Sequence, residues 1–150
     1  MTTAPTERAL DPVALANELR PLTLQLNRHL RRELAPLGVT AGQAGLLHAI
    51  RTNPGIGIRG LAEREGVSPP RVTAAVDRLA EMGLVRRARS GADRRRVELE
   101  VTEAGLRVLR SARTRRTAWL AARLARLDED ERRALAGAVR PLARLLEESE

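Results

Sequence analysis

The chain has 150 residues and a formal net charge of +8, and all of its basic residues other than the two histidines are arginines. It contains no cysteine, which excludes disulfides, thiolate metal sites and thiol-based redox chemistry. The length is typical of one domain, and the positive charge favours a polyanionic partner, nucleic acid before a membrane surface.

The apolar composition predicts an α-rich fold. Hydrophobic residues make up 43% of the chain but aromatic residues only 1%, so leucine, alanine and valine must build the core. Leucine and alanine are strong helix formers. No run approaches the roughly 18 apolar residues of a membrane span, and the N-terminus lacks a signal-peptide pattern. We therefore expect a cytoplasmic protein.

Long amphipathic helices are predicted at both ends of the chain. After a flexible tail at 1–10, Asp11-Pro12 is a typical helix start, and Pro21 predicts a kink. Thr102-Glu103 and the capping box of Asp128 and Glu131 begin two later helices. Stripes at helical spacing predict helix–helix packing, within the chain or with a second subunit. The stripe residues are Leu15, Leu19, Leu22, Leu26, Leu30 and Leu34, then Leu106, Leu109, Leu120, Leu124 and Leu127, then Leu135, Val139, Leu142 and Leu146.

A helix-turn-helix is predicted in the middle of the chain. A capping box at Thr40 begins one helix, and Ile56-Gly57-Ile58 is interpreted as a small edge strand. A short helix over 58–65 ends at Gly66, and Ser68-Pro69 begins the next helix, which Gly83 ends. A helix, a tight glycine turn and a capped helix form this motif. The buried face of the second helix is predicted to be Val72, Ala75, Val76 and Leu79.

A basic β-hairpin is predicted directly after that helix. Leu84-Val85 and Val97-Leu99-Val101 alternate as strands around a Ser90-Gly91 turn. Six arginines face one acid, Asp93, so we expect mutual repulsion unless an anion lies there. Successive strand residues point to opposite faces, so not all six can touch one partner. The arginines are Arg86, Arg87, Arg89, Arg94, Arg95 and Arg96.

Four motifs in this region resemble the winged helix-turn-helix of MarR-type regulators, named after multiple antibiotic resistance. They are Gly60-Leu61-Ala62-Glu63-Arg64-Glu65-Gly66-Val67-Ser68, Val76-Asp77-Arg78-Leu79-Ala80-Glu81-Met82-Gly83-Leu84-Val85-Arg86-Arg87, the wing motif Gly91-Ala92-Asp93-Arg94-Arg95-Arg96, and Val101-Thr102-Glu103-Ala104-Gly105. Together they lie within residues 60–105, in the family's order and spacing. The flanking helices fit the family by length and order only.

The resemblance implies a mainly α fold with a small β-hairpin wing, six helices and a helical dimerisation base. Residues 39–102 would form the winged helix-turn-helix lobe, and 11–38 with 103–148 the dimerisation region. The recognition helix would enter a major groove and the wing the neighbouring minor groove of a palindromic operator in double-stranded DNA. Many members are repressors released by an aromatic or phenolic acid, which binds between the dimer helices and the lobe.

The first turns of a recognition helix meet base edges, so we expect DNA contacts from Ser68, Pro70, Arg71, Thr73, Ala74 and Arg78. Arg71 is the best candidate for a base contact, although it is also compatible with a solvated side chain. Ser68 has the alternative of capping its own helix, and Arg78 that of pairing with an acidic neighbour. In the wing we expect contacts from Arg86, Arg89, Asp93, Arg94 and Arg95, with Asp93 holding Arg95 as the resemblance implies. The alternative is a charged, solubilising hairpin.

The candidate ligand residues are Arg28, His29, His48 and Trp119. A small anionic aromatic ligand would suit these side chains, although a partly buried histidine needs no ligand to explain it. Two histidines without an acidic cluster at ligand spacing argue against a metal site, and we expect no cofactor.

The sequence fits one class of function better than two others. A dimeric, sequence-specific DNA-binding transcriptional regulator, a repressor released by a small molecule, fits best. An architectural or protein-interaction module with the same fold but no ligand response is the alternative. An enzyme is not expected, because the chain has no cysteine or lysine nucleophile, nucleophile elbow, phosphate loop or zinc-protease motif.

Overall fold

The computed structural model describes residues 11–91, 93 and 95–147, so the tail predicted at 1–10 and residue 148 lie outside the described residues. Six α-helices and one hairpin occur in the described part, which confirms the predicted mainly α fold with a small wing. The elements are α1 (Pro12–Arg32), α2 (Ala41–Thr52), α3 (Ile58–Glu65), α4 (Pro69–Glu81), β1 (Val85–Arg89), β2 (Val97–Val101), α5 (Glu103–Leu124) and α6 (Glu129–Leu145), with a 3-10 turn at Ala35–Leu37.

Three helices begin with the predicted side-chain caps. The Asp11 carboxylate accepts a hydrogen bond from the Ala14 N–H at 2.9 Å, which caps α1. Thr40 and Gln43 bond reciprocally at the start of α2, and Asp128 and Glu131 do the same at the start of α6. These bonds satisfy N–H groups that have no partner inside the helix, and this is why α1, α2 and α6 begin where the sequence predicts.

The chain divides into two compact units, with the boundary between Arg115 and Arg116 inside α5. The hydrophobic core of the first unit includes leucines of α2, α3, α4 and β2 that are at most 1% exposed, namely Leu47, Leu61, Leu79 and Leu99. The predicted inward face of α4 is confirmed, with its fourth member, Ala75, half-buried. This packing holds α3 and α4 as the two helices of a helix-turn-helix, with Gly66 at φ 63° between them.

Two details differ from the sequence predictions. The segment around Ile56 is not a strand, because Ile56 accepts one backbone hydrogen bond, from Leu99 at 2.8 Å, before α3 begins at Ile58. Leu127 lies beyond α5, which ends at Leu124. α1 contains Pro21 within one helix, and the kink expected there stays a prediction.

The junctions on either side of the hairpin are bonded to each other. The Thr102 hydroxyl donates to the Gly83 carbonyl at 2.6 Å and accepts from the Gly105 N–H at 3.1 Å. The Thr102 N–H donates to the Leu84 carbonyl at 3.0 Å. Thr102 therefore caps α5, as predicted, and also fixes the start of α5 beside the end of α4.

Candidate nucleic-acid interface

Helix α4 has one buried apolar face and one exposed polar face. Val72 and Val76 are at most 1% exposed, and they point into the core with Leu79. The opposite face is exposed and carries five of the predicted contact residues, Ser68, Pro70, Arg71, Ala74 and Arg78. The amphipathic pattern of the helix therefore places these five side chains on its solvent side.

The two hydroxyl residues of this helix differ in whether the hydroxyl group is already hydrogen-bonded within the helix. Ser68 occupies the N-cap position, but its side chain makes no capping hydrogen bond, so self-capping is not its role in this structure. Thr73 is half-buried, and its hydroxyl donates to the Pro69 carbonyl at 2.9 Å. Thr73 thus has its single donor engaged within the helix, whereas the exposed Ser68 hydroxyl is not used for capping.

Arg71 and Arg78 project from the exposed face of α4. Neither side chain forms an ion pair with any residue of the described ranges, although Glu65 lies nearby as a lining residue of the same surface cavity of about 420 Å³. The alternative that Arg78 pairs with an acidic neighbour is therefore not what the structure has. Both guanidinium groups keep their donors for an external acceptor.

Two of the hairpin arginines form ion pairs with acidic side chains, one on the opposite strand and one on α4. β1 and β2 pair antiparallel with Arg86 opposite Glu100, and the Arg86 Nε atom lies 2.7 Å from the Glu100 carboxylate. The Arg87 Nη2 atom lies 2.6 Å from Oδ1 of Asp77 on α4. The expectation that six arginines face only Asp93 is therefore wrong, since it omitted acids on the opposite strand and on α4.

The loop between the strands is braced by Asp93. Its Oδ1 atom accepts a hydrogen bond from the backbone N–H of Arg95 at 2.9 Å, and its carbonyl accepts from the Arg96 N–H at 3.0 Å. The hold on Arg95 therefore acts through the main chain, and no ion pair joins the two side chains. Arg89 and Arg95 are exposed and form no ion pair with a described residue. Arg94 lies outside the described residues.

The four predicted ligand residues lie on three helices, α1, α2 and α5. Arg28 lines an open cavity of about 460 Å³ beside α1, together with Leu24, Asn27, Arg31 and Arg32, and neither histidine lines it. His29 is half-buried on α1, and His48 is exposed on α2. Trp119 belongs to the second unit, where the Arg123 guanidinium lies 3.6 Å from the ring centroid.

Two further features concern metal binding and membrane spanning. Within residues 11–91, 93 and 95–147, no three histidine or acidic side chains come together as metal ligands would. Over the same ranges, no helix is long and apolar enough to cross a membrane.

Sequence reasoning missed Asp77 and Glu100 as partners of the wing arginines. Asp77 is exposed on α4, but nothing in a spacing of ten residues indicates that it meets Arg87. Glu100 was identifiable only from the strand register, which alternation alone leaves open.

Comparison with known proteins agrees with this architecture. The family model described as MarR family matches residues 37–96. An HTH-type transcriptional regulator of Mycobacterium tuberculosis is 36% identical over 135 residues, which cover 90% of this chain and 94% of the relative. A transcriptional regulator protein from Pseudomonas aeruginosa has a similar solved structure, with a TM-score of 0.80 and 31% identity, covering 91% of this chain and 96% of that one.

A lower-identity structure shares the fold. It is a mutant of MepR from Staphylococcus aureus bound to an oligodeoxyribonucleotide, with a TM-score of 0.70 and 16% identity, covering 89% of this chain and 98% of that one. The family match and the relative that spans nearly the whole chain agree with the winged helix-turn-helix seen in the first unit. The chain therefore belongs to the MarR family of transcriptional regulators, and it is not an enzyme, as the sequence predicted.

Proposed function

We propose that this protein is a homodimer that binds a palindromic operator in double-stranded DNA and represses transcription from it. The observation that carries the proposal is the exposed face of α4, where Arg71 stands in the first turn without an ion pair to any described residue. A free guanidinium at this position has the geometry to bond the O6 and N7 atoms of guanine in the major groove.

The other exposed residues of α4 take supporting roles. The Ser68 hydroxyl, which makes no cap, is available to a phosphate oxygen at the helix start. Pro70 and Ala74 present apolar surface to base edges, and Arg78, further along the helix, meets phosphate. The MepR mutant with the same fold was solved bound to an oligodeoxyribonucleotide, and this supports the same class of partner here.

The hairpin supplies electrostatic positioning rather than base recognition. Arginines enter narrow minor grooves because the negative potential is deepest there. Arg89 and Arg95 have no described ion-pair partner, so they keep their full charge for this role, and Arg94 joins them in the proposal. Arg86 carries an ion pair with Glu100 and therefore contributes less. Asp93 acts as the brace of the loop.

Exposed apolar residues support the proposed dimer. In the first unit, α1 exposes Val13, Leu15, Leu22, Leu24 and Leu26. In the second unit, the C-terminal part exposes Leu135, Val139, Leu142, Leu145 and Leu146. Apolar surface of this extent marks an interaction site in a soluble protein. A two-fold dimer carries two recognition helices and so reads two half-sites at a fixed spacing.

Release by a small anionic aromatic ligand completes the proposal. Arg28, Arg31 and Arg32 line the cavity beside α1, which gives an anion several donors. His29, His48 and Trp119 remain the other proposed ligand residues. The alternative is a winged-helix architectural or protein-interaction module without ligand response.

The decisive experiment is selection of DNA fragments by the pure protein, followed by binding to the selected duplex over a series of salt concentrations. We expect one palindromic sequence and a log affinity that falls by about 0.9 for each neutralised phosphate per unit of log salt. A salt-independent affinity with no selected sequence would contradict DNA recognition. Loss of affinity on adding benzoate or salicylate separates the regulated repressor from the module without ligand response.

A further inference from the structure

The recognition helix and the wing are joined by a side-chain ion pair. The Arg87 Nη2 atom donates to Oδ1 of Asp77 at 2.6 Å, with Asp77 on α4 and Arg87 in the middle of β1. The Arg87 side chain is 38% exposed and the Asp77 side chain 50%, so both reach the surface. The pair therefore lies between the two elements that the proposed function assigns to DNA.

The main-chain connection between these elements is short. α4 ends at Glu81 and β1 begins at Val85, and Gly83 in between has a φ of 73°. The Leu84 N–H bonds the Leu79 carbonyl at 2.9 Å, which fixes the start of the turn. The Thr102 hydroxyl, at the other end of the hairpin, also bonds the Gly83 carbonyl of this turn. The ion pair adds a connection at a different point, one helical turn back along α4, and this restricts rotation of the hairpin about the turn further.

The charge of Asp77 also calls for an explanation. A carboxylate on the exposed side of a recognition helix repels the phosphates of a duplex, so by electrostatics alone it weakens binding. An exposed ion pair adds little to folding stability, because solvent screens it and the side chains lose freedom. Neither bulk charge nor stability therefore accounts for an acid at this position.

We propose that Asp77 and Arg87 are positioning residues, which set the angle between the recognition helix and the wing so that both reach the DNA together. This inference rests on the proposed function for its effect on affinity. The pair itself touches no base. It holds β1 at one orientation relative to α4, and the antiparallel backbone pairing of β1 with β2 carries that orientation to β2.

The direction in which one substitution changes DNA affinity distinguishes a positioning role from a charge effect. Asp77→Asn removes a negative charge from the DNA-facing helix, so a pure charge effect tightens binding. Positioning gives the opposite result, a weakening by up to about fivefold for each pair lost, which is the range for one exposed ion pair. Arg87→Gln weakens binding by a similar factor, and the double change Asp77→Asn with Arg87→Gln weakens it no further than either single change. Tighter binding by Asp77→Asn would overturn the proposal.

Two matched variants complete the set. The exchange Asp77→Arg with Arg87→Asp restores the pair in reverse and is expected to recover at least half of the lost affinity, in logarithmic units. Arg110→Gln removes the same charge as Arg87→Gln and breaks another exposed pair, Arg110 with Glu103 at 3.0 Å, but leaves the wing intact. Arg110→Gln is expected to keep wild-type affinity. Additive losses in the double variant, or no recovery in the exchange, would indicate direct contact by Arg87 instead.

A measurement without DNA tests the positioning directly. The chain has no cysteine, so Ala74→Cys on α4 and Val97→Cys on β2 give two defined spin-label sites in the free protein. Labelled chains are diluted with unlabelled chains so that only distances within one chain are read. We expect a single narrow distance in this background and a clearly broader distribution after Asp77→Asn. An unchanged distribution would overturn the inference even if DNA binding is intact, and a broadened one would support it even if no operator is found.

Discussion

Gly105 lies against the backbone of Leu84 so closely that a β-carbon at position 105 would overlap the Leu84 carbonyl oxygen. The same β-carbon would meet Cγ1 of Val101 at 2.6 Å. Gly105 belongs to the first turn of α5, and Leu84 to the turn between α4 and β1. The start of α5 therefore packs directly on the turn that follows the recognition helix, and only a residue without a side chain fits there.

Gly105→Ala is expected to destabilise the protein by about 1–3 kcal/mol, because the neighbour is rigid backbone that has no room to move. Gly45→Ala on α2 is the matched control, since no atom lies within 4 Å of its β-carbon position apart from its chain neighbours and the backbone of its own helix. That change is expected to stabilise the fold by about 0.5–1 kcal/mol through lower backbone entropy in the unfolded chain. Urea denaturation followed by circular dichroism measures both, and equal midpoints for the two variants would contradict the close packing.

Local signals in the sequence were enough to predict much of the fold. The caps at Asp11, Thr40 and Asp128 were predictable because each depends on residues within three positions. The inward face of α4 followed from helical spacing. The predictions that failed depend on distant contacts. Ile56 accepts a backbone hydrogen bond from Leu99 of β2, and the arginines of β1 meet acids that no local pattern pairs with them. Gly105 lies in one of the sequence motifs, but the requirement for glycine there comes from the close approach of the Leu84 backbone. That contact is visible only in the folded structure.

Arg71→Ala is expected to weaken operator binding by about 1–3 kcal/mol and to relax the sequence preference at one position of each half-site. Arg71→Lys is expected to restore affinity only in part, because an ammonium group does not bond guanine through two donors. Arg51→Ala, on the exposed C-terminal end of α2, removes the same charge and serves as the control. Fluorescence anisotropy on duplexes substituted at single positions measures both affinity and preference. An equal loss on every sequence would assign Arg71 to phosphate rather than to a base.

Arg95→Ala is expected to weaken binding to all duplexes alike and to reduce the slope of log affinity against log salt by about 0.9 for each lost phosphate contact in the dimer. The Arg95 side chain has no described ion-pair partner, whereas its backbone N–H is held by Asp93, so the substitution removes charge but leaves the brace. Asp93→Ala removes the brace and leaves the charge of Arg95 in place. Comparing the salt slopes of the two variants distinguishes the effect of the Arg95 charge from the effect of an ordered loop. An unchanged slope for Arg95→Ala would mean that this side chain does not reach the backbone of the duplex.

Val139→Glu is expected to convert the dimer to a monomer at micromolar concentration. Val139 is 65% exposed on α6, so within its own unit the substitution disturbs no core packing. In a two-fold dimer interface each of the two added carboxylates would lose its water without gaining a partner, at a cost of about 2 kcal/mol or more. Together they would raise the dimer dissociation constant by about 900-fold.

Val97→Glu makes the same change at a valine that is 45% exposed on the hairpin, and it is expected to keep the dimer. Sedimentation velocity at several concentrations distinguishes the two variants, and circular dichroism checks that both are folded. A wild-type chain that sediments as a monomer would remove the two-half-site arrangement. A Val139→Glu variant that stays dimeric would place the dimer contact elsewhere, and α1, with Leu22 at 61% exposure, is then the next surface to test.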